Sequence, residues 1–330
     1  MVCTVLTESS GTLPNASSWD ARYNRLVQNV SCTNAPNTLQ CLRQVPYAIL
    51  NAAINGTDLT SWQPNIDRDF IQGLTSTQML AGKFVHVPII SGANTDEGAS
   101  FAPQGLNSSE DFHKVLTNTS SPVMLPESFA QQVLAAYPDD PAQNVIIETG
   151  LNARFGLPWG AQFRRAATYF GDVNFIAGRR LTCATWSRFG LAAYCYRFNA
   201  IPAGIPPQQG VRHFQEVSFV FNNVMGVGVA GSSYPSLPPP FTNKSQSYFD
   251  LSDFMSASWA SFVVDQDPNS WRNGAASTWK GKEGVWPKYD AGSPMDFVLD
   301  ANVTSHAEPD TYRAEGMKLI NDHAVDIYNR

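Results

Sequence analysis

The chain has 330 residues, 43% of them hydrophobic, so it can fill the core of one large domain or two ordinary ones. Its net charge is −6 and its longest basic clusters are pairs of adjacent arginines, which argues against a nucleic-acid-binding surface. No stretch reaches the roughly 18 apolar residues that a membrane-spanning helix needs, so we expect no transmembrane segment.

The first half of the chain predicts strands alternating with helices. Residues 2–6 are an apolar run typical of a strand, and Ser17 or Ser18 is a candidate cap for the first helix. The apolar run 87–90 stops at Gly92 and predicts a buried parallel strand. The predicted helices of this half cover residues 19–28, 39–43, 47–54, 71–80, 108–115 and 127–136.

The second half continues the same rhythm, which indicates an α/β fold. A second β-like run covers residues 194–201. Residues 226–240 are rich in glycine and proline but lack the Lys-Ser/Thr of a phosphate-binding loop. The predicted helices of this half cover residues 160–170, 173–188, 251–264 and 311–328.

A titratable residue follows each of the two longer predicted strands. Glu97 follows the first and His213 follows the second. In open α/β sheets chemistry takes place beyond the carboxyl ends of the strands, although an isolated loop acid or histidine is more often structural. An acid followed by a histidine matches the last two members of the order Ser, Asp/Glu, His in α/β-hydrolases. We expect the Glu97 carboxylate within roughly 2.6–3.2 Å of a His213 ring nitrogen.

Five motifs carry a resemblance to a known family: VPIISGANTDEG before and around Glu97, GVRHFQEVSFVF around His213, the spacing Cys32-x8-Cys41, DQDPN and WPKY. In this order, and over nearly the whole chain, they resemble the C-terminal part of type-B carboxylesterases, which include fungal lipases and cholinesterases. The resemblance implies the last strands of an α/β-hydrolase sheet with flanking helices and long excursions. It makes residues 1–330 a single partial domain that lacks its N-terminal part.

The resemblance also implies residue roles. Glu97 matches the acid and His213 the base of the Ser–Glu–His triad of a secreted carboxylic-ester hydrolase, whose substrate is a carboxylic ester. Cys32 and Cys41 match a structural disulfide.

The nucleophile of that triad is not found in this sequence. The family carries it in a Gly-x-Ser-x-Gly elbow that starts a helix, and the nearest segment here is TESSG. Gly11, Pro14 and Asn15 follow and favour a turn, so neither Ser9 nor Ser10 is interpreted as the nucleophile. The glycine-rich oxyanion loop is absent too. We therefore expect a fragment that begins downstream of both and is inactive without the missing segment.

Sequons and cysteines indicate a secreted glycoprotein, although no signal peptide is visible at the start of the sequence. Cys32 and Cys41 flank a short polar segment that suits an oxidising compartment, whereas Cys3, Cys183 and Cys195 are expected to be buried free thiols. Only 15% of residues are charged, and glycans would help to keep the surface hydrated. Asn-x-Ser/Thr sequons occur at Asn15, Asn29, Asn55, Asn107, Asn118, Asn243 and Asn302.

Several alternatives stay open. A non-catalytic, cholinesterase-like binding protein would keep the same fold, whereas a glycosidase would need a second acid at a strand end, and none is found. Glu216 either braces the histidine loop or is a surface acid.

The histidines lack metal-binding spacings, and we expect neither a metal nor another cofactor. Three aromatic residues either line an acyl pocket or pack in the core: Phe101, Phe155 and Trp159.

Overall fold

The computed structural model describes residues 16–56, 62, 64–119, 124–150, 154–228, 237–273 and 283–330. The predicted strand over residues 2–6, Cys3, the TESSG segment and the sequon at Asn15 lie outside these residues. Within them, no helix is both long enough and apolar enough to cross a lipid bilayer.

The described strands form one mixed sheet. It contains β1 (Ile89–Asn94), β2 (Ala193–Phe198), β3 (Met295–Leu299) and β4 (His306–Pro309), in that spatial order. The first three strands are parallel and β4 is antiparallel to β3. The carboxyl ends of β1 and β2 therefore lie side by side, with Asn94 opposite Phe198.

Helices connect and cover these strands. They are α1 (Asp20–Asn29), α2 (Thr38–Gln44), α3 (Tyr47–Ile54), α4 (Thr75–Leu80), α5 (Ser109–Leu116), α6 (Glu127–Ala136), α7 (Phe163–Gly171), α8 (Ala177–Arg188), α9 (Val217–Val220), α10 (Gln246–Asp265) and α11 (Ala314–Asp322). A turn of π-helix, Asp172–Ile176, joins α7 to α8.

Alternate residues of β2 and β3 face one core, as the two-residue period of a strand requires. Tyr194, Tyr196 and Phe198 of β2 pack there with Phe297 of β3 and the aromatic residues of α10. On the opposite side, Ala93 of β1 belongs to a second cluster built from α5, α6, α7 and α11. The sheet thus lies between two helical layers.

Strand β1 continues past Gly92 to Asn94, so the prediction that the strand ends where the apolar run stops is wrong. Gly92 lies opposite Tyr196 in β2. A Cβ atom at Gly92 would come within 2.1 Å of the Tyr196 ring, so the strand needs glycine here to accommodate that ring.

Strands β3 and β4 were not predicted. Asp296 interrupts the apolar pattern of β3, and it is buried because Arg179 on α8 binds it at 2.6 Å. Arg179 also contacts Asp310 at 2.8 Å, just after β4. Burial raises the pKa of Asp296 to about 7. Burial acts in the same direction on Asp310, but the charges of Arg179 and Arg180 outweigh burial there and lower the pKa of Asp310.

Several predicted helix bounds are wrong. The helix predicted over residues 251–264 begins earlier, at Gln246, and the one predicted over 311–328 covers only Ala314–Asp322. The N-cap of α1 is Trp19 rather than Ser17 or Ser18, because a 3-10 turn (Ala16–Trp19) runs directly into the helix. Helix α4 begins at Thr75 instead of residue 71. The Asp67 carboxylate accepts hydrogen bonds from the backbone N–H groups of residues 69 and 71 and holds this segment in a turn.

Among the residues that the structure describes, four cysteines form two disulfides. Cys32–Cys41, which the resemblance implied, ties the end of α1 to α2. Cys183–Cys195 joins α8 to β2, so the expectation of free thiols at these two positions is wrong. The sequence alone does not reveal this pairing, because it depends on α8 packing against the sheet.

Candidate active site

Glu97 lies just beyond the carboxyl end of β1 and begins a 3-10 turn, Glu97–Ser100. It is 4% exposed, and its Oε1 accepts a hydrogen bond of 2.7 Å from the backbone N–H of Asn94. The turn packs directly on α7, since a Cβ at Gly98 would come within 2.0 Å of the Ala167 carbonyl oxygen. The acid is therefore fixed from both its own strand and the neighbouring helix.

His213 lies in the loop between β2 and α9, and Asp96 anchors this loop. The backbone N–H of Asp96 donates to the Val211 carbonyl at 2.9 Å, and its Oδ2 accepts from the Val211 N–H at 2.8 Å. Buried Arg164 on α7 binds the other carboxylate oxygen. Gly210 has φ of 58° and lies against Asp96, where a Cβ would clash, so glycine suits this turn.

The predicted contact between the acid and the histidine is present. Glu97 Oε2 and His213 Nδ1 are 2.6 Å apart, although the two residues are 116 positions apart in the chain. Burial disfavours a charged ring, but the hydrogen bond and charge of Glu97, together with the charge of Glu216, outweigh it and raise the pKa of His213. With Nδ1 directed at the carboxylate, Nε2 is the nitrogen left for another partner.

Two aromatic rings pack against the imidazole. Phe175 stacks on it with ring centroids 4.5 Å apart, and Phe101 lies at 5.3 Å. Phe175 belongs to the π-helical turn between α7 and α8, a feature that often occurs at functional sites. The ring plane of His213 is thus constrained as well as its Nδ1 atom.

Glu216 lies at the end of the histidine loop, immediately before α9, and it is half-buried. Its Oε2 accepts a 2.7 Å hydrogen bond from Asn94 Nδ2, which also donates to the Arg212 carbonyl at 2.8 Å. Burial and the nearby charge of Glu97 raise the pKa of Glu216 to about 7. Of the two alternatives left open, the structure favours the brace.

His213 lines a cavity of about 290 Å³. Its walls are mainly apolar and include Ile205, Phe214, Phe221 and Leu237. Ser218 also lines it, but its hydroxyl donates to the Gln215 carbonyl at 3.3 Å. Across the described ranges, no group of three or more His, Cys, Asp or Glu residues comes together to hold a metal ion.

The other predicted residues take several positions. Phe101 is 45% exposed beside His213, whereas Phe155 and Trp159 pack against core clusters. The remaining sequon asparagines are all exposed: Asn29, Asn55, Asn107, Asn118, Asn243 and Asn302.

Sequence reasoning missed three residues of this site. Asn94 and Asp96 lie in the same motif as Glu97, and polar residues directly after a predicted strand were a usable signal. Phe175 gave no such signal, because only the packing of α7 and α8 brings it to His213.

Curated relatives of this chain include fungal lipases. The chain is 27% identical over 294 residues to "Secreted lipase 1" of Botryotinia fuckeliana (strain B05.10), covering 83% of the chain and 43% of the relative. It is 28% identical over 243 residues to "Lipase 2" of Geotrichum candidum, covering 68% and 41%. The chain therefore spans less than half the length of these two relatives.

A solved structure and a family model complete the comparison. Aspergillus niger EstA superposes with a TM-score of 0.70 at 20% identity, covering 99% of this chain and 59% of that protein. The likeness shows that this chain has an α/β-hydrolase fold. The model of the carboxylesterase family matches residues 9–317, and the chain belongs to that family.

Proposed function

We propose that Glu97 and His213 are the acid and the base of a Ser–Glu–His triad in a secreted carboxylic-ester hydrolase. The serine would come from a Gly-x-Ser-x-Gly segment that the printed sequence does not contain. The observation that carries the proposal is the 2.6 Å contact between Glu97 Oε2 and His213 Nδ1, which lie in the loops that follow two adjacent parallel strands. Membership of the carboxylesterase family supports it.

The proposed chemistry follows from the two ring nitrogens. Nδ1–H donates to Glu97, so Nε2 is the basic atom that accepts the serine proton as the hydroxyl attacks the ester carbonyl. The carboxylate stabilises the imidazolium that forms, and Phe175 and Phe101 hold the ring in place. His213 then returns the proton to the leaving alcohol. The apolar cavity beside His213 would accept part of the ester.

The exposed sequons, the two disulfides and the secreted lipase relative support an extracellular glycoprotein as the setting for this activity. A single domain over residues 1–330, completed by a further segment of the same domain, fits the share of its relatives that the chain covers.

The test compares variants in the gene product that contains the elbow serine, using a p-nitrophenyl ester as substrate. His213→Ala should lower kcat/KM by roughly 10⁴-fold or more, and Glu97→Gln by a comparable or smaller factor. His113→Ala is the matched control, because His113 also pairs with a glutamate, Glu127, at 3.0 Å but away from the site. The chain with its printed sequence should show no turnover above that of its own His213→Ala variant.

Full activity in His213→Ala would refute the triad. A non-catalytic binding protein with the same fold is the alternative function. It would be supported if the longest gene product carried an elbow without serine and bound esters without hydrolysing them.

A further inference from the structure

Asn94 binds Glu97 directly and binds the histidine loop at residues on both sides of His213. It is the last residue of β1 and is 1% exposed. Its backbone N–H donates to Glu97 Oε1 at 2.7 Å, which leaves Oε2 for His213. Its side-chain Nδ2 donates to the Arg212 carbonyl at 2.8 Å and to Glu216 Oε2 at 2.7 Å. Arg212 comes immediately before His213 and Glu216 three residues after it. The Asn94 amide therefore binds the histidine loop on both sides of His213.

The chemistry of these partners requires an amide. A carbonyl and a carboxylate are both acceptors, and a primary amide nitrogen carries two hydrogens, one for each. A shorter side chain would not reach them, and aspartate would place oxygen atoms against two acceptors.

In this orientation, the amide oxygen of Asn94 accepts no hydrogen bond within the described ranges. Asn94 Oδ1 is buried and has no hydrogen-bond partner among the residues that the structure describes. A buried acceptor without a partner costs stability. Packing alone therefore does not account for asparagine at this position, whereas its two donated hydrogen bonds do.

We propose that Asn94 is a positioning residue whose side chain holds the histidine loop at the distance where His213 Nδ1 reaches Glu97. The importance of this role rests on the proposed function, but the geometry can be tested without catalysis. Removing the side chain leaves the backbone bond to Glu97 intact and releases the loop on both sides of His213. The acid stays in place while the base moves away.

The experiment is NMR on the chain with its printed sequence and ¹⁵N-labelled histidine, with His213→Gln to assign the ring. The parent should show a downfield Nδ1 proton for His213, from the short bond to Glu97. Asn94→Ala should lose this resonance, and the pKa of His213 should fall because Glu97 no longer holds its proton. Near-UV circular dichroism checks the fold. If the alanine variant does not fold, Asn94→Ser replaces it, because serine keeps a polar group but is too short to reach the two acceptors. This variant should lose the same resonance.

Two controls separate positioning from general effects. Asn199 is also a buried asparagine at a strand end. Its side chain donates to Asp300 at 2.7 Å and accepts from the Thr95 hydroxyl at 2.8 Å, but these bonds do not involve Glu97 or the histidine loop. Asn199→Ala should therefore keep the resonance. Glu216→Gln keeps an acceptor for Asn94 while removing a charge, and it should also keep the resonance.

A folded Asn94→Ala protein that keeps the His213 resonance and the parent pKa of His213 would overturn the proposal. The proposal would also be overturned if Asn199→Ala lost the resonance to the same extent as Asn94→Ala. Loss of the resonance in Glu216→Gln would assign the effect to charge instead of the tether. Failure to hydrolyse esters would count against the proposed function and would leave these NMR outcomes unaffected.

Discussion

Glu216 shows how one half-buried carboxyl near the site affects stability. Burial and the charge of Glu97 raise its pKa in the folded protein to about 7, above the value of 4.5 for a free side chain. Below about pH 4.5 both states are protonated. As pH rises from there to about 7, the unfolded chain ionises first, so the native state binds more protons and the free energy of unfolding falls.

Glu216→Gln should remove this loss, because glutamine accepts the Asn94 hydrogen bond without ionising. At pH 8 the variant should be more stable than the parent by on the order of 1–3 kcal/mol, and at pH 4 the difference should vanish. Urea unfolding of both proteins between pH 4 and 8 measures it. A difference that does not vary with pH would contradict the assignment.

Among the elements, the contact between the Glu97 turn and α7 leaves no space for a side chain. A Cβ at Gly98 would lie 2.0 Å from the Ala167 carbonyl oxygen and 2.2 Å from the Gly171 nitrogen. Both are backbone atoms within or at the end of a helix, so neither can move without shifting α7. The position of Glu97 therefore depends on a helix that lies some 65 residues further along the chain.

Gly98→Ala should destabilise the protein by roughly 3 kcal/mol, because backbone atoms cannot make way as a flexible side chain would. Gly73→Ala is the control, since a Cβ at Gly73 would meet nothing within 4 Å. Thermal unfolding of the two variants makes the comparison. Equal melting temperatures would show that the turn can move away from α7.

The second disulfide fixes α8 to β2 in a similar way. Replacing Cys183 and Cys195 together by alanine should cost roughly 2–3 kcal/mol, because the bond closes a loop between residues 12 positions apart. Peptide mapping without reduction should find both disulfide-linked pairs in the parent. Free thiols at these positions would contradict the pairing.

The sequence predicted elements well where their signals are local. Helices α3 and α6 have their predicted bounds, and Glu97 and His213 were found because each follows an apolar strand. Strand β3 was missed because Asp296 is compatible with a buried strand only when Arg179, 117 residues away, binds it. Cys183–Cys195 and Phe175 were missed for the same reason: their partners become neighbours only in the folded chain.

At the scale of the whole molecule, the low charge content raises the question of what hydrates the surface. Charged residues make up 15% of the chain, against about 25% in ordinary soluble domains. Every sequon asparagine in the described ranges is exposed. Glycans at these positions would add polar surface without adding charge.

Material secreted from a eukaryotic host should therefore lose mass on treatment with peptide N-glycosidase, and mapping should place glycans at several of the exposed sequons. The same chain with the sequon Ser/Thr residues changed to alanine is the control and should aggregate more readily. An unchanged mass after treatment would contradict the proposed glycoprotein.

The parallel pairing of β1 and β2 also has a kinetic consequence. Glu97 and His213 are 116 residues apart, but once Asn94 pairs with Phe198 only three residues lead to Glu97 and fifteen to His213. The loop that remains to be closed is then about 18 residues, and its entropic cost is lower by roughly 1–2 kcal/mol. During refolding, the contact between acid and histidine should therefore form together with the strand pair rather than as a separate slow step.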